Sequence, residues 1–248
     1  MPRDSFRCVF EALQRADAIV ARGLPVRAGA SRTPHPLFPS WEACLRPGLV
    51  LLSAHLYNGV NERSIALAAV LQFIYLAARI HAQVEEDEPG APEGSRVRCQ
   101  LPVLLGDYLY SRFFTTLCEG GLEEYLPPLA RLVCSIGEAG MLRRRRGAEA
   151  MREVCRKETG ELMGLACRLG GELAGAPEAH LGSLYRFGLH FGLAYGLNGR
   201  AGAGEIRDLL SRAGAELQGL PAGEARTALE GLLVRFAPPG ERVGAPGG

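Results

Sequence analysis

Lysine is nearly absent: Lys157 is the only one in 248 residues, so the basic complement is almost entirely arginine. A site using lysine as a compact point charge on phosphate therefore has one candidate. The seven cysteines, Cys8, Cys44, Cys99, Cys118, Cys134, Cys155 and Cys167, are odd in number and nowhere spaced as CxxC. That argues against a disulfide or zinc framework and suits small buried apolar residues in a reducing cytosol. Excess charge of either sign is lacking, with 28 basic and 27 acidic residues and a net charge of +1. A general electrostatic drive toward nucleic acid is thereby excluded. No stretch alternates apolar and polar residues as a strand would. The longest apolar run, Ile65 to Ile80, is interrupted by Gln72 and Arg79 and falls short of the ~20 residues that span a bilayer. The first twenty residues carry Asp4 and Glu11 in place of a signal-peptide core. A soluble, cytoplasmic protein with no transmembrane segment is expected.

What is present is apolar and helical. At 47% hydrophobic residues the chain can bury a full core, and no internal break divides it, so residues 1–236 read as one domain and 237–248 as a disordered tail. Helical spacing predicts Phe6–Arg22, a helix entered near Pro47 and ending at Asn58-Gly59, a helix from Asn61 or Glu62, one from Leu101 to Gly120-Gly121, and one over Leu122–Leu142. Further helices are predicted over Ala148–Gly175, His180–Asn198, Glu205–Gln218 and Ala222–Phe236. The segment PGAPEGS after Glu88 reads as a loop. The helix from Asn61 is apolar on more than one face and belongs in the middle of a bundle. Gly160, Gly164 and Gly170-Gly171 lower helix propensity by up to ~1 kcal/mol each, which points to close helix contacts or a bend. The fold class is all-α, a bundle of about eight to ten helices.

Three segments then resemble the trans-prenyl diphosphate synthases. They are Leu104–Leu109 (LLGDYL), Thr159–Gly175 (TGELMGLACRLGGELAG) and Tyr185–Leu197 (YRFGLHFGLAYGL), in the family's order, with Arg46-Pro47 matching its LRP element. The resemblance implies an isoprenoid-synthase-like bundle. It also implies two aspartate-rich DDxxD motifs, because ionising an allylic diphosphate takes magnesium held by carboxylate oxygens. Neither motif is intact. The first falls on Ala82, Gln83, Glu85 and Glu86, the second on Gly199, Arg200 and Ala203. The family's GGKR falls on Trp41 to Cys44, and the lysine of its KTG element falls on Glu158, next to Lys157.

A site that gathers diphosphates and divalent cations cannot work without carboxylates and counter-cations. The resemblance therefore implies no catalytic residue, no metal and no cofactor on this chain. It implies a non-catalytic subunit of a heteromeric synthase, with magnesium on a catalytic prenyl diphosphate synthase partner whose product length it influences, and a possible homodimer without that partner. Two alternatives stay open. One is an enzyme active alone through substitute ligands among Glu85, Glu86, Asp87 and Glu205. The other is a homodimeric isoprenoid-binding or structural protein. Candidate interface or pocket residues are Phe73, Ala77, Ala78, Leu105, Asp107, Tyr108 and Phe113. Ala77 and Ala78 are small where bulky residues of catalytic relatives block elongation. Asp107 is either a polar anchor or a boundary residue facing water.

Plainer readings apply to other features. Glu85 to Glu88 suits a solvated helix end, and Arg143 to Arg146 a helix end that complements the dipole. His81 and His190 suit core or boundary positions. Phe113, Phe114, Phe187 and Phe191 could line a hydrocarbon pocket, with core packing the default.

Overall fold

The computed structural model describes residues 5–24, 42–57, 59–84, 94–143 and 147–238, with the backbone alone at 42 and 94–99. The α-helices are α1 (Phe10–Gly23, entered through a 3-10 turn at Arg7–Val9), α2 (Glu42–His55), α3 (Glu62–His81), α4 (Gly94–Glu119) and α5 (Leu126–Leu142). They continue with α6 (Ala148–Cys155), α7 (Glu161–Leu173), α8 (Glu178–Leu197), α9 (Ala203–Leu217) and α10 (Glu224–Phe236). The described residues form no strand. The all-α expectation holds. The largest differences at helix starts are two. Helix α2 begins at Glu42, so Pro47 sits inside it, and α4 begins at Gly94, taking in the end of the predicted loop.

Helix α3 is the axis of the bundle. Asn61 opens it with a capping box, its side chain accepting from the Ser64 amide at 3.1 Å while Ser64 Oγ accepts from the Asn61 amide at 2.9 Å. Thirteen of its 20 residues are buried, from Ser64 to Ala77, against α1, α2 and α4. Its length and composition do reach those of a membrane span, contrary to the run counted in the sequence, but 83% of that window is buried within the chain. The apolar surface is consumed by neighbouring helices.

The glycines predicted to mark close contacts do so, Gly160 against Leu189, Gly164 against Tyr185 and Gly171 against Leu184, and α8 adds three glycines that the sequence reading did not single out. Gly188, Gly192 and Gly196 recur every four residues on one face of α8. A Cβ at Gly188 would overlap the Met163 carbonyl, at Gly192 the Thr159 carbonyl, and at Gly196 the Thr159 hydroxyl. Gly170 of α7 meets the Val50 carbonyl of α2 in the same way. Backbone packs on backbone there, which only glycine permits. The predicted long helix of residues 148–175 is two helices, α6 and α7, run together through a π-helical turn at Arg156–Gly160.

Of the cysteines, Cys155 and Cys167 are buried, and burial pushes the Cys167 thiol up to about 12. Cys118 and Cys134 are exposed, against the expectation of buried residues, and those described are all free thiols. The predicted tail lies outside the described residues from position 239 onward.

Candidate functional site

The ends of α3 and α8 meet α5 and the π-helical turn around one cleft of about 800 Å³. From α3 come Tyr75, Ala78, Arg79 and His81, with Ala82 just after; from the end of α8 come Tyr195 and Gly196, followed by Asn198 and Arg200. Val133, Ile136, Gly137 and Gly140 of α5, Met151 and Cys155 of α6, and Glu158 and Thr159 of the π turn complete most of the lining. Tyr110 of α4 and Phe236 of α10 close it. The cleft thus brings together Ala82 and Arg200, the positions marked in the sequence as the two degenerate motifs. Gly199, at φ +74°, turns the chain beside Arg200, and Ala203 begins α9; neither lines the cleft. Gln83 is exposed, and Glu85, Glu86 and Asp87 lie outside the described residues.

The electrostatics differ from those of a metal-diphosphate site. Among the described residues, Glu158 is the only carboxylate that lines the cleft. It accepts from Arg143 Nε at 3.0 Å and from a second guanidinium nitrogen of the same arginine. The π turn directs Lys157 elsewhere, to Glu138 at 2.8 Å, with its side chain half-buried. Among the described residues, Arg200 faces sulfur, Met151 Sδ at 3.4 Å and Cys155 Sγ at 4.0 Å. Burial pushes the Cys155 thiol up, and Arg200 beside it pulls part of that shift back. Glu205, offered in the sequence as a substitute ligand, is ion-paired with Arg152 and does not line the cleft. Behind the wall, Arg46 is fully buried with its guanidinium carbon 3.3 Å from the Tyr75 ring centroid. Magnesium held for diphosphate chemistry needs several carboxylate oxygens, and these residues do not fit it.

The remaining candidates separate by burial. Phe73, Ala77 and Phe113 are closed into the chain's own core and present no surface. Ala78 lines the cleft, and Leu105 is half-buried on α4. Asp107 faces water and lies 3.3 Å from His81 Nε2, which places His81 at a boundary. Gly106 lets α4 approach that imidazole, since a Cβ there would meet the ring. His190 is half-buried on α8, and burial holds its pKa down. Phe187 and Phe191 are core residues stacked at 6.0 Å, while Phe114 is exposed. The aromatic wall is instead Tyr75, Tyr110, Tyr195 and Phe236, with Tyr195 and Phe236 5.4 Å apart. Tyr195 was legible in principle, as part of the segment leading to the second motif.

Helix α4 carries a further surface. Its extensive contact is with α3, and its far side leaves Leu101 60%, Leu104 66% and Tyr108 39% exposed at helical spacing. The apolar face predicted for this helix is thus split, with Leu109 buried and the other edge in solvent.

The fold is that of the trans-prenyl diphosphate synthases. A decaprenyl diphosphate synthase from Rhodobacter capsulatus superposes with a TM-score of 0.76 at 19% identity, over 96% of this chain and 98% of that one. The geranyl diphosphate synthase small subunit from Antirrhinum majus superposes with a TM-score of 0.68 at 18% identity, over 94% and 99%. In sequence too the chain resembles this family. It is 30% identical over 215 residues to heptaprenyl diphosphate synthase component 2 of Geobacillus stearothermophilus, across 81% of this chain and 64% of that protein. It is 28% identical over 216 residues to the nonaprenyl diphosphate synthase of Mycobacterium tuberculosis, across 81% and 61%. The chain therefore spans less than two thirds of the length of these relatives. No protein-family profile matches it.

Proposed function

We propose that this chain is a catalytically silent subunit of a heteromeric trans-prenyl diphosphate synthase, in the cytoplasm, supporting a catalytic partner that condenses isopentenyl diphosphate with allylic diphosphates. One observation carries the reading: the cleft between the ends of α3 and α8 offers a single described carboxylate, Glu158, and Arg143 occupies it. Diphosphate cannot be held there through divalent cations, because unneutralised phosphate charge opposes binding. Magnesium belongs to the partner. Two names support a multi-subunit setting, a relative called component 2 of its synthase and a fold neighbour called a small subunit. The bare edge of α4 is the surface for the partner, and docking there shapes the tunnel that accepts the growing chain. Helix α3, which carries the interface candidates Phe73, Ala77 and Ala78, is covered by its own neighbours at Phe73 and Ala77.

The test is turnover. Purified chain with magnesium, isopentenyl diphosphate and farnesyl diphosphate is expected to form no product, and a full-motif synthase from the same genome is expected to gain activity or change product length when it is added. Sustained product formation by the chain alone would reject the proposal.

The cleft itself favours a second reading, binding of an isoprenoid with an anionic head by this chain, without metal. Its tyrosine, alanine, valine and isoleucine wall suits a hydrocarbon, and among the described residues no carboxylate pairs with Arg79 or Arg200. Farnesyl diphosphate is then expected to bind in the presence of a chelator, measured by calorimetry. Arg200→Ala should weaken it roughly tenfold, the worth of one charge-assisted hydrogen bond. Binding that appears only with magnesium would exclude this reading.

A further inference from the structure

Away from the cleft, three residues remote in sequence converge. Cys8 lies in the 3-10 turn Arg7–Val9, His55 is the last residue of α2, and Glu224 is the first of α10. The Cys8 Sγ, an imidazole nitrogen of His55 and a carboxylate oxygen of Glu224 all lie within 4.8 Å of one another. Cys8 and His55 are half-buried and Glu224 is exposed. Yet among the described residues no hydrogen bond or ion pair joins His55 to Glu224 or to the thiol. Three groups of metal-ligating type lie together without bonding.

We propose that Cys8, His55 and Glu224 bind one divalent cation of the zinc class. Thiolate, imidazole and carboxylate are the donor types zinc accepts, at bond lengths of about 2.0–2.3 Å. Tetrahedral geometry at those lengths separates ligand atoms by roughly 3.3–3.6 Å, so side-chain movements of about 1 Å complete the set. The thiol gives its proton to solvent as the metal binds, and no electron is transferred. Without a cation the group is electrostatically awkward. Burial raises the Cys8 pKa, and the Glu224 charge raises it further. A cation among the three reverses both effects, and the carbonyl end of α2 beside His55 adds favourable partial charge. A surface hollow lined by Cys8 and Glu224, two of the three ligands, with Ser5, Arg7, Thr227 and Ala228 gives an ion a way in and leaves room for water as a fourth ligand. The Arg7 charge on that rim works against the ion, but solvent screens it.

The mechanical consequence reaches the cleft. The site ties the start of the chain to α2 and to α10, and α10 is the helix that ends in Phe236, part of the cleft wall. A bound ion would clamp α10 at its first turn.

The experiment titrates the full chain with cobalt(II) after dialysis against chelator. One equivalent is expected to produce a sulfur-to-cobalt charge-transfer band, which zinc then displaces. Cys8→Ser should abolish the band, Glu224→Gln should weaken cobalt binding at least tenfold, and Cys134→Ser, an exposed thiol elsewhere, should change nothing. Zinc should raise the melting temperature of the parent chain and leave that of Cys8→Ser unmoved. Absence of the band, its persistence in Cys8→Ser, or a melting temperature indifferent to zinc would each overturn the site.

Discussion

Gly188→Ala is expected to lower the melting temperature by about 6–12 °C. The new methyl would enter the Met163 carbonyl and approach the Gly164 Cα, so the obstacle is backbone on α7 and cannot swing aside as a flexible side chain would. Overpacking of that kind costs up to about 3 kcal/mol, and a domain of this size loses about 2–4 °C for each kcal/mol. The pair Gly188→Ala and Gly192→Ala should prevent folding, because both contacts fix the same crossing. Gly137→Ala on α5 is the matched control. It lies within a helix with nothing within 4 Å of a Cβ, and should gain about 0.5–1 kcal/mol from helix propensity. Circular dichroism melts of the three variants test the crossing, and equal melting temperatures would mean that α7 and α8 do not touch through glycine.

Leu104→Arg is expected to separate folding from assembly. Leu104 is 66% exposed on the bare edge of α4, so the free chain should change in stability by no more than about 0.5 kcal/mol. Against a partner the same position is central to an apolar patch with Leu101 and Tyr108, and a charge buried there without a counter-ion should cost at least 2 kcal/mol. That is roughly a thirtyfold weaker association. Co-purification with the full-motif synthase, followed by native mass spectrometry, reads the difference. An unchanged complex would place the interface on another face.

Much of the fold was legible because it depends on local rules. The apolar density of Ile65 to Ile80 marked α3 as central, Asn61 or Glu62 marked its start, and Gly160, Gly164 and Gly170-Gly171 announced close packing. The two helix ends that matter were found from sequence order alone, and they share one cleft. What could not be read depends on rotation and long-range approach. Phe113, Phe187 and Phe191 look no different in sequence from Tyr75, Tyr110 and Phe236, yet the former are core and the latter wall, since apolar residues on every face leave the orientation to the packing. The convergence of Cys8, His55 and Glu224 spans most of the chain and leaves no spacing signal. The exposure of Leu101 and Leu104 follows from α4 having α3 as its one extensive neighbour, which periodicity does not report.

The π-helical turn at Arg156–Gly160 bears on what metal-diphosphate chemistry would need in this cleft. A π turn holds one residue more than an α turn, so the helix before it is rotated by about 100° relative to the helix after it. In this chain that rotation presents Glu158 to the cleft and hands Lys157 to Glu138. Installing aspartates at Ala82 and Gln83 and again near Arg200 would restore anions while leaving an acid where a cation must face phosphate. On the proposed function, turnover in this cleft would therefore require a shift of backbone register as well as new side chains, more than a count of substituted residues suggests.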